Sequence, residues 1–209
     1  MAHDDGDSEE KKSLSSLARK LGQLSAEKKR AALEVSAALA GVSLRVSREF
    51  VEAVPKAARV LSADDLRHWG EMGRRLAMGN AETGARFFAD GVGGLKNVPE
   101  AARSAVFQVC TRQLVLSSSI SLETFQSIPD LAKKVGDDKL LTEILRLAVE
   151  IAQRSAKHSS EFLQNTPDVA VALARFGDEK ADVSVAVLAL AAQFAERTGG
   201  MAADLWGNL

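Results

Sequence analysis

The chain has no tyrosine, one cysteine, three histidines and four prolines in 209 residues, and each shortage narrows its function. A lone cysteine, Cys110, cannot staple a fold, so stability must come from packing and a reducing compartment is expected. Aromatic residues make up 5%, too few for a row of base-stacking platforms. Net charge is −1, without the basic excess that would recommend nucleic acid as the main partner. The longest apolar run, Val183 to Ala192, contains Ser184 and is too short to span a bilayer. The opening MAHDDGDSEE is acidic where a secretory signal is basic and then apolar. A soluble, cytoplasmic protein with no transmembrane segment is expected.

The same poverty limits chemistry. The histidines are His3, His68 and His158. Asp65 and His68 stand three apart, as do His158 and Glu161, but a di-iron bundle needs two Glu-x-x-His pairs and further glutamates. One pair is aspartate-first and the other reversed, so no metal site is expected. Cys110 has no histidine near it in sequence and is expected in the core. The run Ser117, Ser118, Ser119 and Ser121 lacks the glycines of a nucleophile elbow. Gly91, Gly93 and Gly94 are followed by Lys96-Asn97, which does not complete a phosphate loop, so a turn is expected there. No catalytic residue, metal or cofactor is predicted.

What the chain does have is a recurring twelve-residue block. It reads LAGVSLRVSREF from Leu39, LAMGNAETGARF from Leu76, LVLSSSISLETF from Leu114 and IAQRSAKHSSEF from Ile151. A weaker copy, FAERTGGMAADL, starts at Phe194. The first four copies begin 37, 38 and 37 positions apart and the fifth 43 later. Each opens on a large apolar residue and closes on Phe50, Phe87, Phe125, Phe162 or Leu205. A helical period in this range signals stacked units that bury one another. The expected fold is all-α: an α-solenoid-like array of about five units of about 37 residues, each a long helix and a short one.

Three segments are expected: an acidic disordered tail over 1–10, a basic amphipathic helix over 11–30, and one helical-repeat domain over 31–209. Leu14, Leu17, Leu21 and Leu24 give the second segment an apolar stripe beside Lys11, Lys12, Arg19, Lys20, Lys28, Lys29 and Arg30. It either caps the array or docks on an anionic partner. Residues 138–164 hold neither proline nor glycine, which predicts one long helix N-capped by Asp137 after Gly136. Ser62 and Asp65 have capping-box spacing, with Asn97 and Glu100 a looser version. Pro129 and Pro167 are expected in the first turns of new helices. The fifth place of each block is small and polar: Ser43, Asn80, Ser118, Ser155 and Thr198. A close-packing role in mid-helix is favoured overall over N-caps that break the helix; Ser155 suits the first and Asn80, after Gly79, the second.

Exposed features suit binding. Arg74, Arg75 and Arg112 belong to a scatter of cations that is either a solvated face or a row meeting an acidic partner. Trp69 and Trp206 are the only tryptophans; Trp206 either closes the last unit in the core or anchors a partner. These five are the candidate partner-binding residues.

The segment LRHWGEMGRRLAMGNAETGARFF, from Leu66 to Phe88, resembles helical repeats upstream of the von Willebrand A domain in some bacterial proteins. Those are relatives of the nitric-oxide-reductase and Rubisco activation subunits, which work with MoxR-type AAA+ ATPases. Leu66, Trp69, Gly73, Leu76-Ala77 and Phe87-Phe88 carry the resemblance, over about one unit. The Asp-x-Ser-x-Ser metal site of a von Willebrand A domain is missing, since Ser117 to Ser121 has no aspartate. The resemblance implies a bacterial, repeat-only relative or portion with adaptor work and no activity of its own. Its partner would be an AAA+ ATPase or a von Willebrand A protein.

The leading expectation is a non-enzymatic helical-repeat scaffold for protein–protein interaction, with homo-oligomerisation open because the end of an array leaves apolar residues uncovered. The alternatives are a phasin-like amphipathic coat on a granule or lipid-like surface, and a helical bundle carrying an unrecognised cofactor.

Overall fold

A computed structural model describes residues 18–175, 180–197 and 199–208, and among these the chain is all-α, with helices, turns and no strand. It divides between Gly93 and Gly94 into two compact units. The first holds α1 (Ala26–Ala40), α2 (Leu44–Ala57), α3 (Ala63–Gly79) and α4 (Ala81–Asp90). A 3-10 turn (Gly93–Asn97) leads into the second, with α5 (Glu100–Leu116), α6 (Ser118–Val135), α7 (Asp138–Ala152), α8 (Ala156–Ala174), α9 (Lys180–Arg197) and α10 (Gly199–Gly207).

The helices come in pairs because the small polar residues of the blocks break them. Ser43 Oγ accepts from the Val46 N–H, Ser117 Oγ from Ile120 and Ser155 Oγ from His158, while Asn80 Oδ1 accepts from Glu82 and Thr83. All four have extended backbone. The packing role favoured overall is therefore corrected at Ser43 and Ser155, which are N-caps, while Asn80 is the N-cap that Gly79 before it suits. In the third pair the cap is Ser117, and Ser118 is the first helical residue. Thr198 lies outside the described residues. A cap stabilises its helix by about 1 kcal/mol, and the reversal it permits lets two apolar faces bury each other. The expected single helix over 138–164 likewise ends at Ala152. A long helix with a short one recurs in the second and last pairs, of 17 and 10 and of 18 and 9 residues, whereas the first and third pairs have near-equal partners, of 15 and 14 and of 17 and 18.

Pro129 and Pro167 do not start helices; they lie inside α6 and α8, as Pro55 lies inside α2. An interior proline costs about 3 kcal/mol. Beyond Pro129, Leu131, Ala132 and Val135 are buried, and beyond Pro167, Val169, Ala170 and Leu173 are. Each large apolar residue among them returns about 1.5–3 kcal/mol, enough to carry the helix past the ring. Other local signals work as read. Ser62 and Asp65 form a reciprocal capping box. Gly136 ends α6 at φ 61° and Asp137 caps α7. The looser Asn97 and Glu100 box does not form; α5 starts after Pro99 without a side-chain cap.

The basic segment is not one helix. Residues 18–22 are helical, and α1 begins anew after Ser25, whose hydroxyl accepts from the Lys28 N–H. Lys28 Nζ donates to the Ala58 carbonyl, 2.7 Å away, at the C-terminus of α2, where a cation offsets the helix dipole. The acidic tail and residues 11–17 fall outside the described residues.

The core of the first unit is aromatic. Trp69 meets Phe88 edge-on at 4.9 Å and Phe50 at 5.4 Å, and Phe87 lies beside both Trp69 and Phe88. Glycines make room for it. A Cβ on Gly73 would lie 2.0 Å from the Phe88 ring, and one on Gly70 2.2 Å from Val35. In the second unit Phe107 pairs with Phe125 at 6.0 Å and Phe162 with Trp206 at 4.8 Å. Phe50, Phe87, Phe125 and Phe162 are all buried, whereas Leu205 is half-buried beside a buried Trp206.

Helices within a pair cross on small residues. Ser47 Oγ donates to the Ser36 carbonyl at 2.9 Å, Ser121 Oγ to Cys110 at 2.8 Å and Ser159 Oγ to Ala148 at 2.9 Å. Each serine stands four residues after its N-cap and reaches back eleven. Gly84 takes that place in the second pair, where a Cβ would meet Ala77 at 2.7 Å.

Candidate interaction surfaces

Five residues were expected to face a partner, and the structure separates them. Trp69 and Trp206 are both 0% exposed, so neither can serve as a partner-binding anchor, and for Trp206 the alternative of core closure holds. Trp206 closes the last helix pair in the core: its Nε1 donates to Thr166 Oγ1 at 3.1 Å, and that hydroxyl donates to the Phe162 carbonyl. Trp69 Nε1 has no hydrogen-bond partner. Its place among phenylalanines is set by shape, as is that of Leu66, Gly73, Leu76, Ala77, Phe87 and Phe88. The residues that carry the family resemblance are core residues.

Arg74 and Arg75 converge on one carboxylate. Both Nε atoms lie 2.8 Å from Glu71, with Arg74 bidentate. Hydrogen bonds from Arg74 and then Arg75 hold the Glu71 carboxyl below its usual range against some desolvation. Their charge is thus partly spent within α3. Arg112 is exposed on α5, in the other unit. Cys110 is fully buried, and burial pushes its thiol far above the ordinary range, so it is not a nucleophile at neutral pH.

Sequence reasoning missed a broad concavity. In the second unit a groove of about 770 Å³ runs between α5 and α9 over α7. Ala101, Ser104 and Ala105 line one wall, Leu147 and Val149 the floor, and Val185, Leu188 and Ala189 the other wall. Glu143, Arg146 and Glu150 also border it. Arg146 is paired with Glu143, and Glu150 accepts from the Gln153 amide. No single motif marks the groove, because its walls come from helices far apart in sequence. A smaller pocket of about 340 Å³ in the first unit lies over Phe88 between Glu49, Glu52 and Lys56.

Two buried polar atoms were also unforeseen. Gln113 and Thr124 are 0% and 3% exposed, and Gln113 Oε1 and Thr124 Oγ1 have no partner. Gln113 Nε2 donates to Ser159 Oγ at 3.3 Å. Once Ser117 is the cap, these two stand where the other pairs place Leu39 and Phe50, or Ile151 and Phe162.

Among the described residues no group of three or more His, Cys, Asp or Glu is placed to hold a metal ion, and no helix is long and apolar enough to cross a membrane. No family model, curated protein or solved structure matches the chain.

Proposed function

We propose that the chain is a non-enzymatic helical-repeat scaffold or adaptor of solenoid type, which presents the outer faces of its helix pairs to protein partners. The supporting observation is recurrence of one construction, an N-cap at 43, 80, 117 and 155 with a small residue four places on at the helix crossing. Units built to one plan bury their inward faces and leave an extended outer surface, which is what such arrays offer to other proteins. The groove over α7 is a concave part of that surface. The likeness of Leu66 to Phe88 to von Willebrand-associated repeats suggests an AAA+ ATPase or a von Willebrand A protein as the partner class.

Affinity capture on the full chain, with mass spectrometry, tests the reading. A reproducible partner whose recovery falls with Gln108→Arg or Arg112→Glu, both at exposed positions, supports it. Absence of any partner sensitive to outer-face substitution overturns it. A second reading, adsorption to a lipid-like surface, draws on exposed apolar residues at the helix breaks: Val42, Leu44 and Met78 in the first unit, Val115 and Leu116 in the second. Flotation with liposomes at low salt separates it from the first.

A further inference from the structure

The helix pairs of the first unit stack in a definite register. Gly70 stands ten residues before Asn80, the N-cap of α4, and Val35 eight before Ser43, the N-cap of α2. The two meet: a Cβ on Gly70 would lie 2.2 Å from the Val35 side chain. Beside them Arg67 donates to Glu34 at 3.0 Å across the same two helices. Counted back from each cap, both places are covered almost throughout. Ten before it, Gly70, Phe107 and Leu145 are buried; eight before it, Val35, Met72, Val109 and Leu147 are. Each row has one exposed member, in the first pair or the last. Leu33, ten before Ser43, is 72% exposed, and Leu190, eight before position 198 between α9 and α10, is 43% exposed.

We infer that copies of the chain stack head to tail, the first helix pair of one on the last pair of another, with Leu33 against Leu190. The occupant of each face follows from the register. Within the first unit, the residue ten before a cap rests on the residue eight before the preceding cap, as Gly70 rests on Val35. Leu33 lacks such a support and Leu190 lacks such a load, so each is what the other's place calls for. The contact joins two different faces and therefore does not close at two copies; every copy added leaves one face of each kind free. The ion pair extends the register. Arg67 stands thirteen before its cap and Glu34 nine before its own, and the same places on the two exposed faces hold Arg30 and Ala189. Arg30 thus meets the other copy at a residue with no carboxylate to offer.

This rests on the repeat reading proposed above and deepens it by naming a partner for two faces, and the two fail separately. Copies that stack but retain no other protein lose the scaffold role and keep the stacking; a single-copy chain that captures a partner does the reverse. Sedimentation velocity on the full chain, from about 1 to about 500 µM, is the test. The mass is expected to rise with concentration past two copies. Leu33→Glu and Leu190→Glu, both at exposed sites where the helical melt is kept, are each expected to hold the chain at one copy. An equimolar mixture of these two variants is expected to form a complex of two copies and no more, because each retains the face the other has lost. Ala189→Glu is expected to strengthen association about two- to fivefold, the range of an exposed ion pair, and Arg30→Ala to cancel that gain. A single-copy parent throughout the range, association that survives either leucine variant, a mixture that stays single-copy, or a loss of association on Ala189→Glu overturns the stacking.

Discussion

The two units solve one problem, bringing helices close enough to share a core, with different chemistry. The first keeps one crossing hydroxyl, at Ser47, and otherwise removes side chains: Gly70, Gly73 and Gly84 clear space for Val35, Phe88 and Ala77, and an aromatic cluster fills what remains. The second keeps small hydroxyls and uses them: Ser121 and Ser159 donate across the crossing to Cys110 and Ala148, and Thr166 links Trp206 to Phe162. The tryptophans show the contrast most directly. Trp69 is held by ring contacts with its N–H unpaired, while Trp206 is held by rings and a hydrogen bond. Shape tolerates any apolar atom of the right size, whereas a buried hydroxyl needs its acceptor. The first unit should thus answer to changes of volume and the second to loss of polar atoms.

The largest expected effect erases the difference. Phe50→Ala and Phe162→Ala each remove a fully buried ring and should cost about 3–5 kcal/mol, measured by urea unfolding. A loss below about 1 kcal/mol in either would show that the ring is not filling its unit's core.

Exchanging the crossing residues sharpens the comparison. Gly84→Ser installs in the second helix pair the residue that Ser47, Ser121 and Ser159 supply in others, but its Cβ meets Ala77 backbone atoms at 2.9 and 3.0 Å. Overpacking of this kind costs about 1–3 kcal/mol. Ser159→Ala strips the acceptor from buried Gln113 and should cost about 1–2 kcal/mol. A Gly84→Ser protein as stable as the parent would mean that the helices of that pair part freely.

The smallest effect is electrostatic. Glu71, between Arg74 and Arg75, has its folded carboxyl lowered. Its contribution is therefore present above the unfolded value of about 4.3 and is lost as pH falls through the lower folded one. The side chain is 37% exposed, and after allowance for solvent screening the whole effect lies within about 1 kcal/mol. Melting temperature of Glu71→Gln against pH should converge on the parent's in acid; a constant offset would assign the change to packing.

Much of the architecture could be read from residues alone. The all-α class, the buried closing phenylalanines, the caps at Ser62 and Asp137 and the αL glycine at 136 all follow from local rules. The break at Asn80 was signalled by Gly79 before it; those at Ser43 and Ser155 were not, because serine is middling in mid-helix and good at N-caps. Nothing at Ser155 flags a break, as no proline or glycine adjoins it. The third block slipped by one because Phe125 drew the alignment, hiding Gln113 and Thr124 in slots that are apolar elsewhere. Trp69 and Trp206 were candidates for the surface since rarity suggests a role, but a large ring is equally useful as filler. The groove and the bare side of α9 depend on which helices neighbour one another, and no short-range pattern encodes that.

Gln113 and Trp206 reach helix α8 about two turns apart, one through Ser159 and the other through Thr166. A slip of α8 by a single residue along its axis would unhook both at once. That helix therefore serves as a keystone: α5 and α10, remote from each other along the chain, should lose amide protection in step rather than in sequence.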